Sequence, residues 1–273
     1  MDSVRAVSEW PVDNAAVAVV GASGEVLASD GASERAFRLA SVSKLLTAYT
    51  ALIALEEGVA ELDTPAGPEG STIRHLLAHT SGLAFDEHKV VAPPGTRRLY
   101  SNAGFEQLAD ALTGHSGIPF ADYQREALFA PLGLGSTKLD GSPAAGIVST
   151  VADLTVFAAE LQRPTLLAPE TLAEATSVVF PGLNGVLPGF GHQKPNDWGL
   201  GFEIRDGKNP HWTGANSSPR TFGHFGQSGT FLWVDPDVGA ACVALSDRNF
   251  GPWAAQTWPA FTDAVLAELA GNR

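Results

Sequence analysis

Ser41-Val42-Ser43-Lys44 stands at the head of a long apolar run. On a helix, residues three apart share a face, so this spacing sets the Lys44 amine one turn from the Ser41 hydroxyl. A serine hydroxyl is a poor nucleophile until a base takes its proton. A lysine can be that base once desolvation has lowered its pKa. The start of a helix adds the backbone N–H of Ser41 and a positive dipole end, both suited to a developing oxyanion. Taken alone, the tetrapeptide fits an N-cap serine and a surface lysine equally well.

Two further segments carry compatible chemistry. Leu99-Tyr100-Ser101-Asn102 follows the rigid turn Pro93-Pro94-Gly95-Thr96, which delivers a phenol and an amide from a loop. A phenol near an ammonium is stabilised as a phenolate or serves as a proton relay, as acyl transfer needs. Asn102 also fits a helix N-cap for a segment beginning at Ala103. His224-Phe225-Gly226-Gln227 precedes an apolar strand pattern, and a glycine at a strand edge lets a substrate's backbone come close. The Gln227 N–H is then a candidate second oxyanion donor.

The elements that must position these groups are legible at both ends of the chain. Ala15–Val20 and Glu25–Ser29 flank a glycine turn and read as a hairpin. From about Ser41 to Gly58 apolar residues cover most of a helical circumference, the pattern of a helix buried on nearly every side. Between 63 and 195 short helical patterns (Ile73–Ala78, Phe105–Thr113, Tyr123–Leu128, Val151–Leu161, Pro169–Ser177) alternate with Pro/Gly-rich connections such as Pro181–Pro195. Strand patterns return at Gly199–Ile204, Thr221–His224, Gly229–Val234 and Ala240–Leu245, and Trp253–Ala270 reads as an amphipathic helix. The expectation is an α+β fold. Residues 1–62 and 196–273 form an α/β lobe with one sheet built from both termini, 63–195 form an all-helical lobe, and the site lies between them.

Composition narrows the partners. The 273 residues are 44% hydrophobic and 17% charged, which excludes intrinsic disorder. Seventeen Lys+Arg against thirty Asp+Glu give a net charge of −13, and the longest basic cluster is Arg97-Arg98. Such a field repels nucleic acid and anionic membrane surfaces. The single cysteine, Cys242, lies in an apolar run and reads as a buried strand residue. No apolar leader and no stretch of about 20 apolar residues is present, so a cytoplasmic location is expected. His75 and His79 have the spacing of a metal pair, but no Glu follows His75 and no third ligand is evident, so a structural role is expected. His88, His115, His192 and His211 read as surface residues, and Trp198, Trp212 and Trp233 as core or pocket lining.

Ser41-x-x-Lys44, Tyr100-x-Asn102 and His224-x-Gly226, in that order, resemble the three motifs of the class C β-lactamase-related serine hydrolases. That superfamily includes class C β-lactamases, D,D-carboxypeptidases, D-aminopeptidases and family VIII esterases. Thr72–Leu83 and Gly146–Leu154 resemble its framework segments, so the similarity covers most of the chain. The resemblance implies the β-lactamase/D,D-peptidase-like (transpeptidase-like) fold and a two-step acyl transfer through a Ser41 ester. Lys44 and Tyr100 would share the role of base, and Tyr100 would pass a proton to the leaving group. Asn102 would bind substrate and orient Lys44, the N–H groups of Ser41 and Gln227 would form the oxyanion hole, and His224 and Gly226 would shape the third wall. No metal or other cofactor is implied.

Two departures bear on the substrate. Class C β-lactamases have a lysine where this chain has His224, and a histidine of ordinary pKa is mostly neutral at pH 7. The chain is also short for that class, so loops flanking the cleft are expected to be trimmed. The Ser-Asp-Asn and Glu-x-x-Leu-Asn segments of class A enzymes do not occur. The expected substrate is a small ester or D-amino-acid-type amide ahead of a β-lactam. The alternatives are a genuine β-lactamase or penicillin-binding D,D-peptidase, an acyltransferase, and, in another class, a non-catalytic ligand-binding homologue.

Overall fold

The structure, a computed structural model, describes residues 1–271. In chain order its elements are β1 (Ala15–Gly21), β2 (Val26–Gly31), β3 (Phe37–Arg38), α1 (Ser43–Glu56), α2 (Ile73–Leu77), α3 (Asn102–Ser116), α4 (Phe120–Gln124), β4 (Lys138–Leu139), β5 (Ile147–Ser149), α5 (Val151–Gln162), α6 (Pro169–Ala175), β6 (Gly185–Leu187), β7 (Gly191–Gln193), β8 (Glu203–Ile204), β9 (Phe222–Gly226), β10 (Thr230–Asp235), β11 (Ala240–Ser246) and α7 (Pro252–Gly271). Short 3-10 turns at Ser3–Glu9 and Ala40–Val42 precede β1 and α1.

The main sheet is antiparallel, in the order β2-β1-β11-β10-β9-β8, so the two ends of the chain meet at its centre. Ala15 pairs with Ser246 and Gly21 with Ala240. Alternation along each strand divides the side chains between two cores. Ala16, Ala18, Val20, Leu232, Val234, Val243 and Leu245 face α1 and α5. Val17, Val19, Phe231, Trp233, Cys242 and Ala244 face α7 and the N-terminal turn. The centre of the sheet is covered on both faces, so β10 and β11 are buried at every position, while the edge strand β2 is largely exposed.

The segment between the termini is mostly helical but carries short strands. β3-β5-β4 form a small sheet that ties Phe37–Arg38 to Val148–Ser149, and β6 and β7 form a hairpin within the stretch that reads from sequence as a loop. Helix α3 begins one residue earlier than the Asn102 cap implies. Ser101 is the N-cap, and its hydroxyl accepts the Gly104 N–H at 3.0 Å. Trp198, Trp212 and Trp233 are all buried in the core.

In α1 every residue from Ser43 to Ala54 is buried, as its all-round apolar pattern predicts. Its polar side chains are each matched. Tyr49 donates to Glu160 at 2.7 Å, Thr47 to the Pro143 carbonyl at 2.7 Å, and Ser43 Oγ accepts the Ile147 N–H at 3.0 Å. The loop before β5 therefore clamps the first turns of α1.

Trp233 is fully buried on the α7 face of the central sheet. Trp233→Ala should lose about 3–5 kcal/mol of stability, read as a large fall in the thermal midpoint.

Candidate functional site

Ser41 sits in the 3-10 turn before α1, while Lys44 lies in the first turn of the helix proper. Ala40, just before the serine, is held at φ 46°, a left-handed conformation that costs a non-glycine residue on the order of 1–3 kcal/mol. The end of β9 and the start of β10 hold it there. Thr230 Oγ1 donates to the Leu39 carbonyl at 2.8 Å, and Ser228 Oγ to the Arg38 carbonyl at 2.6 Å. Gly226 is what lets the turn come so near, since a Cβ there would lie 2.2 Å from the Leu39 oxygen. Gly226 thus serves the serine's turn as well as any third wall.

Lys44 Nζ is buried and points at three oxygens. It donates to Asn102 Oδ1 at 2.5 Å, to the Ala144 carbonyl at 2.9 Å and to Ser41 Oγ at 3.4 Å. It also sits over the Tyr100 ring, 4.7 Å from the centroid, rather than at the phenol oxygen. Burial lowers its pKa to about 7, against the opposing pull of Asp86 and Glu106. Those two acids keep part of the amine charged at neutral pH.

Tyr100 responds in the opposite direction. Burial raises its phenol well above 10, the Ser41 hydroxyl lowers it, and Asp86 adds to the rise. Its oxygen is buried and makes no well-aligned hydrogen bond. The pull of Ser41 on the phenol therefore comes from proximity, not from a settled bond. Asn102 uses both ends of its amide inside the protein, since Nδ2 donates to Asp86 Oδ1 at 2.7 Å. The substrate-binding end that the resemblance assigns to Asn102 is on Asp86 here.

His224 lies in β9 and is buried, its ring 5.6 Å from that of Tyr100 and 5.4 Å from that of Trp198. Nδ1–H donates to the Phe225 carbonyl at 2.6 Å. Burial first, then repulsion from Lys44, lowers its pKa to about 3, so it is neutral throughout the working range. Gln227 follows β9, and its side chain donates to the Phe250 carbonyl at 3.3 Å. All seven motif residues thus converge on the end of β9, the start of α1 and the start of α3.

Sequence reasoning undervalued several neighbours. His79 does not pair with His75, whose ring stacks on Phe180 at 4.8 Å. Instead His79 brackets Tyr100. Its carbonyl accepts the Leu99 N–H at 2.8 Å, its Nδ1 the Ser101 N–H at 3.1 Å, and its ring lies 4.6 Å from the phenol ring. Arg98, in the longest basic cluster of the sequence, is only 1% exposed. It donates to the carbonyls of Ala78, Val179, Phe180 and Asn196 at 2.5–3.0 Å, fixing the loop segment that leads into Tyr100.

His211 likewise departs from the surface reading. It is buried against Glu203, which also accepts from Trp212 Nε1 at 2.9 Å and pairs with the buried Lys208. His88 and His192 are exposed, as expected. Among the described residues no group of three or more His, Cys, Asp or Glu could hold a metal ion, and no helix is long and apolar enough to cross a membrane.

The same fold recurs in known proteins. The β-lactamase family model matches residues 12–267. A crystal structure of a β-lactamase from Mycobacterium bovis is 57% identical, superposes with a TM-score of 0.96, and is matched over 98% of this chain and 99% of that one. A penicillin-binding protein of Bacillus subtilis (strain 168) is 31% identical over 38% of this chain and 30% of its own length. The D-alanyl-D-alanine-carboxypeptidase/endopeptidase AmpH of Escherichia coli (strain K12) is 29% identical over 39% and 37%. The match therefore spans about a third of each of these two curated relatives. The chain belongs to the β-lactamase family.

Gly226→Ala should move the Ser41 turn, because the new Cβ would lie 2.2 Å from the Leu39 backbone oxygen, which cannot swing away as a side chain can. Turnover should fall at least tenfold while far-UV circular dichroism stays unchanged.

Proposed function

We propose that this protein is a serine hydrolase that works through an acyl-enzyme on Ser41, with a small ester or amide as substrate. The observation that carries this reading is the Lys44 amine. It is buried, has a pKa of about 7 and is aimed at Ser41 Oγ from 3.4 Å. About half of such an amine is unprotonated at neutral pH and able to accept a proton.

In this scheme Lys44 takes the Ser41 proton as Oγ attacks the carbonyl carbon. The oxyanion is met by the N–H groups of Ser41 and Gln227. Tyr100, whose pKa is raised, keeps its proton and is the donor rather than the base. As the tetrahedral intermediate collapses, the bond to the leaving atom breaks and that atom takes the Tyr100 proton. The proton held on Lys44 then restores the phenol. Water repeats the sequence on the acyl-enzyme and returns Ser41. Asn102 holds the amine in line, and His224 acts as a neutral wall.

The neutral His224 supports an uncharged substrate over one that needs a buried cation for its carboxylate. The 57% identity to a structure described as a β-lactamase favours a second reading, in which the same acyl-enzyme forms from a β-lactam.

A fluorophosphonate probe should add one adduct to the wild-type chain and none to Ser41→Ala, as seen by intact mass. Equal labelling of the variant would sink the acyl-enzyme on Ser41. Nitrocefin and p-nitrophenyl acetate run side by side separate the two substrate readings, and faster turnover of the ester is expected.

A second test is the pH profile. Only the neutral amine is a base, so kcat/KM should rise as pH climbs through about 7 and then level. Asp86→Asn removes a charge that stabilises the ammonium, so this limb should shift to lower pH. An unchanged limb would mean that another group supplies the base.

A further inference from the structure

The Tyr100 hydroxyl makes no well-aligned hydrogen bond, so nothing at the far end of the side chain fixes where its proton is held. The ring is set from its sides, with His79, His224, Trp198 and Phe85 at centroid distances of 4.6, 5.6, 5.7 and 5.8 Å. It is also set from its root, where one residue holds both neighbours. His79 accepts the Leu99 N–H with its carbonyl at 2.8 Å and the Ser101 N–H with Nδ1 at 3.1 Å. Ser101 is in turn the N-cap of α3, so the same imidazole joins the tyrosine to the helix that carries Asn102.

A histidine is a costly choice for this place. It stands at φ 55° just beyond α2, a left-handed position that glycine or asparagine fills with less strain. It is buried, and burial holds its imidazole well below the ordinary pKa, so the ring is neutral. A backbone N–H can only donate, so Nδ1 carries the lone pair and the proton sits on Nε2. Nε2 is buried too, and it has no hydrogen-bond partner among the described residues. A buried donor left unpaired is destabilising, and a phenyl ring would fill the same space without one. What the imidazole has and a phenyl ring lacks is the single bond from Nδ1 to the residue after Tyr100.

We propose that His79 is a positioning residue for proton donation by Tyr100, and that it acts through Nδ1. The assignment rests on the reading of Tyr100 as the donor to the leaving atom, and it gives His79 weight only where that atom needs a proton. An alkoxide must be protonated as it departs, whereas p-nitrophenolate leaves as a stable anion. Loss of Nδ1 should therefore sharpen the enzyme's discrimination between leaving groups. A residue that merely supported the fold would lower turnover of every ester alike.

The test is kcat/KM for ethyl acetate and p-nitrophenyl acetate, which form the same acetyl-enzyme. His79→Phe keeps a ring and drops Nδ1. It should lose about 100-fold on ethyl acetate and about threefold or less on p-nitrophenyl acetate. His79→Gly suits the positive φ and also drops Nδ1, so it gives the same reading should the bulkier variant not fold. Asparagine tolerates a left-handed φ and carries an acceptor on Cγ, as histidine does, so His79→Asn should recover most of the ethyl acetate rate. In a Tyr100→Phe background, His79→Phe should add no further loss on ethyl acetate. Equal losses on both esters, no recovery in His79→Asn, or additive losses in the double variant would each overturn the assignment. Tyr100→Phe alone keeps the two readings apart. If it spares p-nitrophenyl acetate, the donor reading stands and the His79 variants judge the positioning by itself. If it lowers both esters alike, the donor reading fails and the positioning falls with it.

Discussion

The burial of one amine organises the whole site. An ammonium in an apolar helix would be costly, and three oxygens from separate parts of the chain reduce that cost without removing it. Asn102 comes from the head of α3, Ala144 from the loop before β5, and Ser41 from the turn before α1. Because no carboxylate among the described residues touches Lys44 directly, desolvation dominates and the amine is poised near neutrality. An acid in direct contact would have held it charged and useless as a base.

The same shielding sorts the surrounding groups by protonation state. The phenol of Tyr100 is pushed up and the imidazole of His224 pushed down, so both are neutral beside a lysine that can be either. Pairs of titratable groups driven apart by a common low-dielectric environment are the usual basis for dividing acid and base roles. His79, itself buried and held far below its ordinary pKa, belongs to this neutral shell and fixes the backbone on both sides of Tyr100.

Much of this was legible in the sequence, and the parts that were not share a cause. The terminal strands, the buried helix after Ser41 and the ordered motifs follow from local patterns that survive in the fold. Asp86 and Phe85 gave no such signal, because they meet the site through a loop whose path depends on tertiary contacts. His211 looked like an ordinary surface residue and Arg98 gave no signal, since their partners are a glutamate and backbone carbonyls that become neighbours only on folding. The β6–β7 hairpin was hidden by its glycines and prolines, which mark turns but leave the pairing between them unstated.

The pairing of the two ends of the chain carries a kinetic consequence. β1 and β11 are joined across nearly the full length of the sequence, and the turn bearing Ser41 is fastened to residues about 190 positions away. Contacts of such high sequence separation form slowly, because the entropy of closing the loop is lost before the contacts reward it. The serine is therefore set in its strained turn only when the last strands arrive. A chain emerging from the ribosome would carry Ser41 early and the geometry around it late.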